Sequence, residues 1–468
     1  MNKRIMNFYY KCPRFLQTLG INIFETREKL LRSSRSFRKW LRLLIEKEKW
    51  SKKDIEEYQN KHLREILLYA YHNVPFYYDL YNKHKIDVSK INNVKDLSYL
   101  PIISRNDIIK AGELIKSIRP GKYIIRHTSG TIGQPLEIRC SYNLAILNKA
   151  NAYLRDQWAG YRGQRVARFV GDTPIGDCND PFLYRLSYIM NRAIYPSYCL
   201  SFNNLSCILE SMRMLNVKLI QCYPSTGYMI AKFLEMNNSY FPLDAILYSS
   251  EPMYDYQREV IEERFKAKVF GYYGQAEGVI SACECEEGQY HLTMVDGIME
   301  IIKDNKKVPD GEKGFTVVTS LHNFAMPLIR YALNDYTGYK LEKCKCGRNT
   351  PIIYPVETKV EDFLITPDGR IISPSLLTFP LKHAKNIVES QIIQTTPKDI
   401  IIKIVRGKNF NKKDEEMLLL AFKEIVGRNI EIKIMYTEYI HQTSAYKKRF
   451  VINELGRDCI EKTINTGN

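Results

Sequence analysis

Nine residues, His127-Thr128-Ser129-Gly130-Thr131-Ile132-Gly133-Gln134-Pro135, set three hydroxyls and two glycines together between two short apolar runs. Gly130 and Gly133 allow positive φ and close backbone approach, and Thr128, Ser129 and Thr131 add hydroxyls to the amides that such a turn exposes. The result is a flexible anion cradle, suited to a triphosphate whose oxygens need many donors and which leaves again as pyrophosphate. The pattern is not the G-x-x-x-x-G-K-[ST] phosphate loop. Taken alone, it reads equally well as an ordinary Ser/Thr/Gly turn. A second constellation pairs Cys285 and His291, in CECEEGQYH, with Cys344 and Cys346, in KCKCGRNTP. Three thiolates and an imidazole complete a tetrahedral zinc set, and four protein ligands leave no open position, so the metal would be structural. Gly347 permits the turn that frees both sulfurs of C-x-C. The competing reading is a group of buried free thiols, with Cys283 as a spare ligand.

The elements that must position these groups follow from length and pattern. A chain of 468 residues with 45% hydrophobic content can build one large domain and a smaller one. Its formal charge is +17, and 13 Lys/Arg against 4 Glu in residues 1–50 give +9 there, so more than half of the excess is local. No zinc-finger, helix-turn-helix or RNP pattern accompanies the charge, and nucleic acid is not an expected partner. Residues 26–50 place Leu30, Leu31, Phe37, Trp40, Leu41, Leu44 and Ile45 at helical spacing among Arg and Lys. Such a basic amphipathic helix either docks on the main domain, the simpler reading, or touches an anionic membrane face. No run of 18 apolar residues and no signal-peptide core is present, so the chain is expected to be cytoplasmic or peripheral at the inner membrane face. Its 11 cysteines then stay thiols or bind metal.

Residues 54–84 are helical in pattern up to Asn73-Val74-Pro75, where proline disfavours α geometry in the residue before it. From 123 to 330, apolar strands at 166–170, 217–221, 245–248 and 268–271 alternate with helical stretches at 143–158, 225–236 and 253–265. That alternation predicts a parallel sheet with crossover helices. After Thr358 the rhythm changes to strands at 392–395 and 400–405, a helix at 411–426 and a strand at 430–435, a small α/β lid. The expected division is a basic helical extension over 1–53, a large domain over 54–358 and a lid over 359–468.

TSGTIGQP resembles the TSGTTGKP-type phosphate loop of the adenylate-forming superfamily of acyl-CoA synthetases, adenylation domains and luciferases. More narrowly it resembles the branch of phenylacetate-CoA ligases and CapK-type capsular polysaccharide biosynthesis proteins. Similar segments follow in family order: YYGQAEG at 272–278, PLIRYALNDYTG at 327–338, TKVEDFLITPDGRIISP at 358–374 and TSAYKKRFV at 443–451. LREILLYAYHNVPFYYDLY and LSYLPIISRNDIIK are similar to the N-terminal helices of that branch, so the resemblance runs from about residue 60 to the end.

The resemblance implies an α/β fold, with a large multi-layer N-terminal domain of mostly parallel sheets and a small mobile C-terminal domain. It also implies a reaction: ATP with magnesium activates a carboxylic acid as acyl-AMP, and coenzyme A then accepts the acyl group. A sugar hydroxyl or amine of a surface polysaccharide is the rival acceptor, and a non-catalytic nucleotide-binding assembly protein is the different-class alternative. By the same resemblance Thr128, Ser129, Gly130, Thr131 and Gly133 hold the phosphates, Glu277 carries magnesium, and Tyr273 stacks on adenine ahead of Gly274. Ser250 and Glu251 border the base. Asp335 accepts hydrogen bonds from the ribose hydroxyls. Lys359 stands where the family has arginine and so offers a point charge in place of a fork. Glu361 falls at the hinge, and Lys447 is the mobile lysine that bridges the α-phosphate and the attacking carboxylate. Gln134, Ala276, Leu333-Asn334 and Tyr446 depart from the family pattern. Cys285, His291, Cys344 and Cys346 match the zinc ligands of some members, and Tyr223 falls where the acid pocket is expected.

Overall fold

The computed structural model describes residues 8–128, 136–171, 175, 178, 180–303, 306–356, 364–368, 370–372, 374–382, 386–407, 409–438, 440 and 450–455. Helices α1 (Arg14–Arg32), α2 (Arg35–Glu46), α3 (Lys52–Asn73) and α4 (Pro75–Lys83) lead the chain. Helix α3 starts at a capping box: Asp54 N donates to Ser51 Oγ at 3.2 Å, and Ser51 N donates to Asp54 Oδ2 at 2.8 Å. It stops at Val74, which is extended (φ −126°), and Pro75 opens α4, where a missing N–H costs nothing. The short helix α5 (Arg105–Ala111) uses the same device, with Ser104 and Asp107 as its box.

Strands β1 (Tyr123–His127) and β2 (Glu137–Ser141) form an antiparallel hairpin that leads into α6 (Tyr142–Trp158). Then come β3 (Val166–Val170), β4 (Arg185–Ser187), β5 (Arg192–Pro196), α7 (Phe202–Met214), β6 (Leu219–Cys222), α8 (Pro224–Met236), β7 (Ala245–Ser249), α9 (Asp255–Phe265) and β8 (Val269–Gly274). Strands β9 (Ser281–Glu284) and β10 (Tyr290–Leu292) follow, then β11 (Gly297–Lys303), β12 (Lys306–Lys307), β13 (Gly314–Ser320), β14 (Tyr331–Thr337) and β15 (Ile352–Ile353). The main sheet has nine strands in the order β15-β10-β9-β8-β7-β6-β3-β5-β4. Its centre, β5-β3-β6-β7-β8, is parallel with helical crossovers, as the alternation predicts. Both edges are antiparallel; β9 and β10 are joined by only residues 285–289 and β4 and β5 by only 188–191, each too short for a parallel crossover. A separate antiparallel sheet, β12-β11-β13-β14, was not foreseen. Six of the seven positions of β11 are buried, so it lacks the in-out alternation that marks a half-exposed strand.

The C-terminal part comprises β16 (Leu364–Ile365), β17 (Ile371–Ile372), α10 (Pro374–Lys382), β18 (Ile387–Thr396), β19 (Asp399–Arg406), α11 (Lys412–Val426), β20 (Glu431–Tyr436) and β21 (Val451–Asn453). The expected βαβ unit is β19-α11-β20, extended by β18 antiparallel to β19 and by β21 parallel to β18. Leu376, Leu377 and Phe422 join the buried cluster that contains Phe169, Leu205 and Ile220 of the large domain. The buried Arg370 guanidinium crosses this junction, donating to Tyr198 O at 2.8 Å, Ile425 O at 3.0 Å and Val426 O at 2.9 Å. Cys178 and Cys199 form a disulfide, contrary to the expectation of thiols or metal ligands throughout. Among the described residues no helix is long and apolar enough to cross a membrane.

Candidate functional site

The SGTIGQP segment connects β1 to β2, and its two ends are pinned together. Thr128 N donates to Leu136 O at 3.1 Å, and Leu136 N donates to the buried Thr128 Oγ1 at 3.0 Å. Arg105 Nη1 donates to the same oxygen at 3.1 Å. With that oxygen accepting twice, what Thr128 can still offer an anion is its O–H. Ser129, Gly130, Thr131 and Gly133 lie outside the described residues, as do Lys359, Glu361 and Lys447.

Arg105 reaches this point because the chain before it is fastened to β14. Ile103 N donates to Arg330 O and Ala332 N to Ile103 O, both at 2.9 Å, which sets Ile103 beside Tyr331 as a parallel bridge. The buried Arg330 holds the junction through a bidentate pair with Glu300, both contacts at 3.0 Å, and through a bond to Leu100 O. Arg105, first residue of α5, therefore stands next to Tyr331, and Tyr331 lies near enough to both Arg105 and Glu277 for their charges to bear on its hydroxyl. Glu277 sits in the turn after β8. Gly278 follows it at φ +67°, and a Cβ there would lie 2.5 Å from Asn148 Oδ1 and 2.6 Å from Arg126 Nη1, so only glycine closes this turn.

Two carboxyls thus meet in a buried place. Burial pushes the Glu277 pKa up, Arg105 and Tyr331 pull it down, and Asp335 raises it further. Asp335 is also raised, by burial, against the bond it accepts from Tyr273 OH at 2.6 Å. Tyr273 is held as a neutral phenol, by burial first and by Asp335 second. A buried carboxylate pair needs positive charge close by, and among the described residues Arg105 and, against Gly278, Arg126 are near it. A hard divalent cation arriving on phosphates would suit such a pair, and Glu277 is a carboxylate that could hold it.

Beside this cluster opens a cavity of about 370 Å³ whose wall includes Arg126, Asn148, Lys149, Ser249, Tyr272 and Gln275, with Ser250 and Gly274 at its border. Arg126 Nη1 donates to Asn148 Oδ1 at 2.8 Å, fixing both. Ser250 adopts φ +75°, a strained position for a residue with a Cβ. Glu251 Oε2 accepts from Ser225 N at 3.1 Å at the start of α8, so this carboxylate serves that helix end. Tyr223 precedes α8, packs on the apolar core and is not in the cavity wall.

The four metal-type ligands come together through sheet register. His291 in β10 pairs with Ile352 of β15, which brings the turn before β15 against the end of β9. The ligand atoms of Cys285, His291, Cys344 and Cys346 all lie within 4.8 Å of one another. Cys285 Sγ and Cys344 Sγ are 3.6 Å apart, close to the roughly 3.7 Å edge expected for Zn–S bonds of about 2.3 Å. His291 Nδ1 lies 3.0 Å from Thr350 Oγ1, leaving Nε2 to face Cys346 Sγ at 3.2 Å. Burial lowers the His291 pKa to about 4, which keeps the ring neutral as a ligand must be. Cys283, the spare candidate, points elsewhere and contacts Asn151 O at 3.5 Å.

The structure therefore brings Thr128, Tyr273, Glu277 and Asp335 into one cluster, with Ser250 and Gly274 at its edge. Arg105, Tyr331 and Arg126 were not foreseen. Their contacts depend on pairing across more than 200 residues in the case of Arg105 and Tyr331; the one available signal was an S-x-x-D box with a cation at its first helical position.

The CapK C-terminal domain family matches residues 364–454. Protein CapK of Staphylococcus aureus is 24% identical over 411 residues, spanning 86% of this chain and 90% of that protein. Phenylacetate-coenzyme A ligase of Thermus thermophilus is 23% identical over 325 residues, 66% of this chain and 71% of the ligase. Among solved structures, 2-hydroxyisobutyryl-CoA ligase with 2-HIB-AMP and CoA in the thioesterification state superposes with a TM-score of 0.56 at 16% identity, covering 89% of this chain and 92% of that one. The same ligase in an open conformation gives 0.50 at 17% identity, over 84% and 90% of the two chains.

Proposed function

We propose that this chain, which has the adenylate-forming enzyme fold and counts CapK and phenylacetate-coenzyme A ligases among its homologues, joins a carboxylic acid to ATP as acyl-AMP and passes the acyl group to coenzyme A. The observation that carries the reading is the polar cluster in which Arg105 bonds Thr128 and stands by Tyr331 and Glu277, beside the hydrogen-bonded Tyr273–Asp335 pair. In the first step a carboxylate oxygen of the acid attacks the α-phosphorus and the bond to pyrophosphate breaks. Arg105 and the Thr128 hydroxyl would supply donors to the developing phosphate charge. Glu277 would hold magnesium, which neutralises the phosphates and the leaving pyrophosphate. Asp335 accepts from the ribose, and the Tyr273 ring, held by its bond to Asp335, backs the base. In the second step the thiol attacks the acyl carbon and AMP leaves. Lys447 serves the first step, and rotation about Glu361, with Lys359 near the nucleotide, serves the second. Zinc on Cys285, His291, Cys344 and Cys346 fastens the sheet edge and takes no part in the chemistry.

The wall of the neighbouring cavity mixes Arg126, Asn148 and Lys149 with Ala152, Tyr272 and Ile280, so a polar and an aromatic acid both belong in the test. The test is ATP–pyrophosphate exchange across hydroxy, amino and dicarboxylic acids with phenylacetate as comparator, followed by thioester formation on adding coenzyme A. The acid that supports exchange identifies the substrate class, and no exchange with any acid would refute adenylation. A second acceptor, a sugar hydroxyl or amine of a surface polysaccharide, is favoured by the likeness to Protein CapK over 86% of this chain. Adenylation without thioester formation would select it.

A further inference from the structure

Helix α1 is turned inside out. Its buried residues are the polar Gln17 and Glu25, while Phe15 is 69% exposed, Ile23 64% and Leu30 66%. With about 100° between successive residues, Phe15, Leu16, Leu19, Ile23 and Leu30 fall within roughly a 100° arc of the helix, with Arg27 on one side and Lys29 on the other. The inward side is tied to the β4–β5 edge by polar contacts. Arg185 Nε donates to Gln17 Oε1 at 2.8 Å, and Asn22 bonds Leu186 O and Tyr188 N, each at 2.8 Å. Arg192 donates to Glu25 Oε1 at 3.2 Å and to Glu28 Oε1 at 3.3 Å. Tyr188 and Ile189, in the adjoining turn, extend the exposed apolar surface.

A water-facing helix has the opposite arrangement, so this face is built for an apolar phase. Charge selects which one. Both carboxylates of α1 are turned inward and paired, and its exposed charges, Arg27 and Lys29, are basic, as are the neighbouring exposed Lys11, Arg35, Arg38 and Lys39. A second copy of the same basic face would repel it, whereas an anionic bilayer satisfies the apolar stripe and the flanking cations together. We propose that α1 lies in the interface of an anionic membrane, apolar face down, with the enzyme body above it. Glu28 also pairs with Lys149 of the cavity wall at 3.5 Å, so the docking helix is tied to the element that borders the candidate acid site.

The experiment is flotation of the full chain with phosphatidylcholine vesicles, with and without about 30% phosphatidylglycerol. Binding is expected to the anionic vesicles and to weaken in high salt. The double variant Leu19→Asp/Ile23→Asp should reduce it by about tenfold or more, with an unchanged melting temperature because both side chains face outward. Arg27→Glu/Lys29→Glu should remove the salt-sensitive part. Hydrogen exchange of the unmutated chain should slow over residues 15–30 when anionic vesicles are added. Absence of flotation, flotation unaffected by the Asp pair, or a dimer in light scattering that the Asp pair dissociates would each overturn the proposal, the last by assigning the face to a second copy.

Discussion

Arg105→Met removes the guanidinium that bonds Thr128 and stands beside Tyr331 while keeping the apolar stem. A lost hydrogen bond to a charged group costs about 1.5–3 kcal/mol, so adenylation should fall roughly 10- to 150-fold in kcat/KM. A second effect follows from Glu277. Its pKa is raised by burial and restrained by Arg105, so without the cation it rises further. Because Glu277 must be ionised to hold magnesium, the acid limb of the pH–rate profile should move to higher pH. Arg105→Lys keeps the charge without the fork and should recover the position of the limb more fully than the rate. The assay is pyrophosphate exchange as a function of pH for the three proteins. A Met variant within about twofold of wild type, with an unmoved limb, would refute the role given to Arg105.

Glu277→Gln should abolish magnesium-dependent adenylation and yet raise the melting temperature of the ligand-free protein. The folded-state pKa lies above the unfolded value, so stability is fully present below the ordinary glutamate range and is lost as pH rises through the folded pKa; Gln removes that loss at neutral pH and makes no difference in acid. Cys344→Ser should lower stability before chemistry. A structural metal contributes its binding energy to folding, and losing one of its four ligands weakens that contribution although Cys346 still closes the loop. Elemental analysis should give about one zinc per chain, and absence of metal with a melting temperature unchanged by chelator would sink that site. Lys447→Ala should lose acyl-AMP formation by orders of magnitude, about 3–4 kcal/mol, yet pass on the acyl group from synthetic acyl-AMP. If only Lys448→Ala does so, the role moves by one residue, a shift that Tyr446 in place of glycine makes reasonable.

What the sequence made legible was local. The parallel centre of the sheet showed through strand and helix alternation, and Tyr273, Glu277 and Asp335 through motifs that keep their spacing. Arg105 was hidden because Tyr331, its partner, is joined to it by pairing distant in sequence. The strongest amphipathic signal lay over residues 26–50, and its simpler reading, docking on the main domain, holds. There Phe37 and Leu44 of α2 pack with Leu144 and Leu147 of α6, the docked arrangement, whereas α1 has a weaker periodicity and an outward apolar side. Which side of a helix faces the protein depends on what the docking edge offers, here Arg185 and Arg192, and periodicity carries no such sign.

The most direct test of adenylation is capture of the intermediate itself. Protein, magnesium, α-labelled ATP, pyrophosphatase and a pool of carboxylic acids, polar and aromatic, should yield acid-dependent acyl-AMP with the wild-type chain. Glu277→Gln should yield none, and Asp335→Ala should need far more ATP, its binding weakened by about 1.5–3 kcal/mol. Acyl-AMP formed equally by all three proteins, or by none of them while ATP still binds, would contradict the assignment.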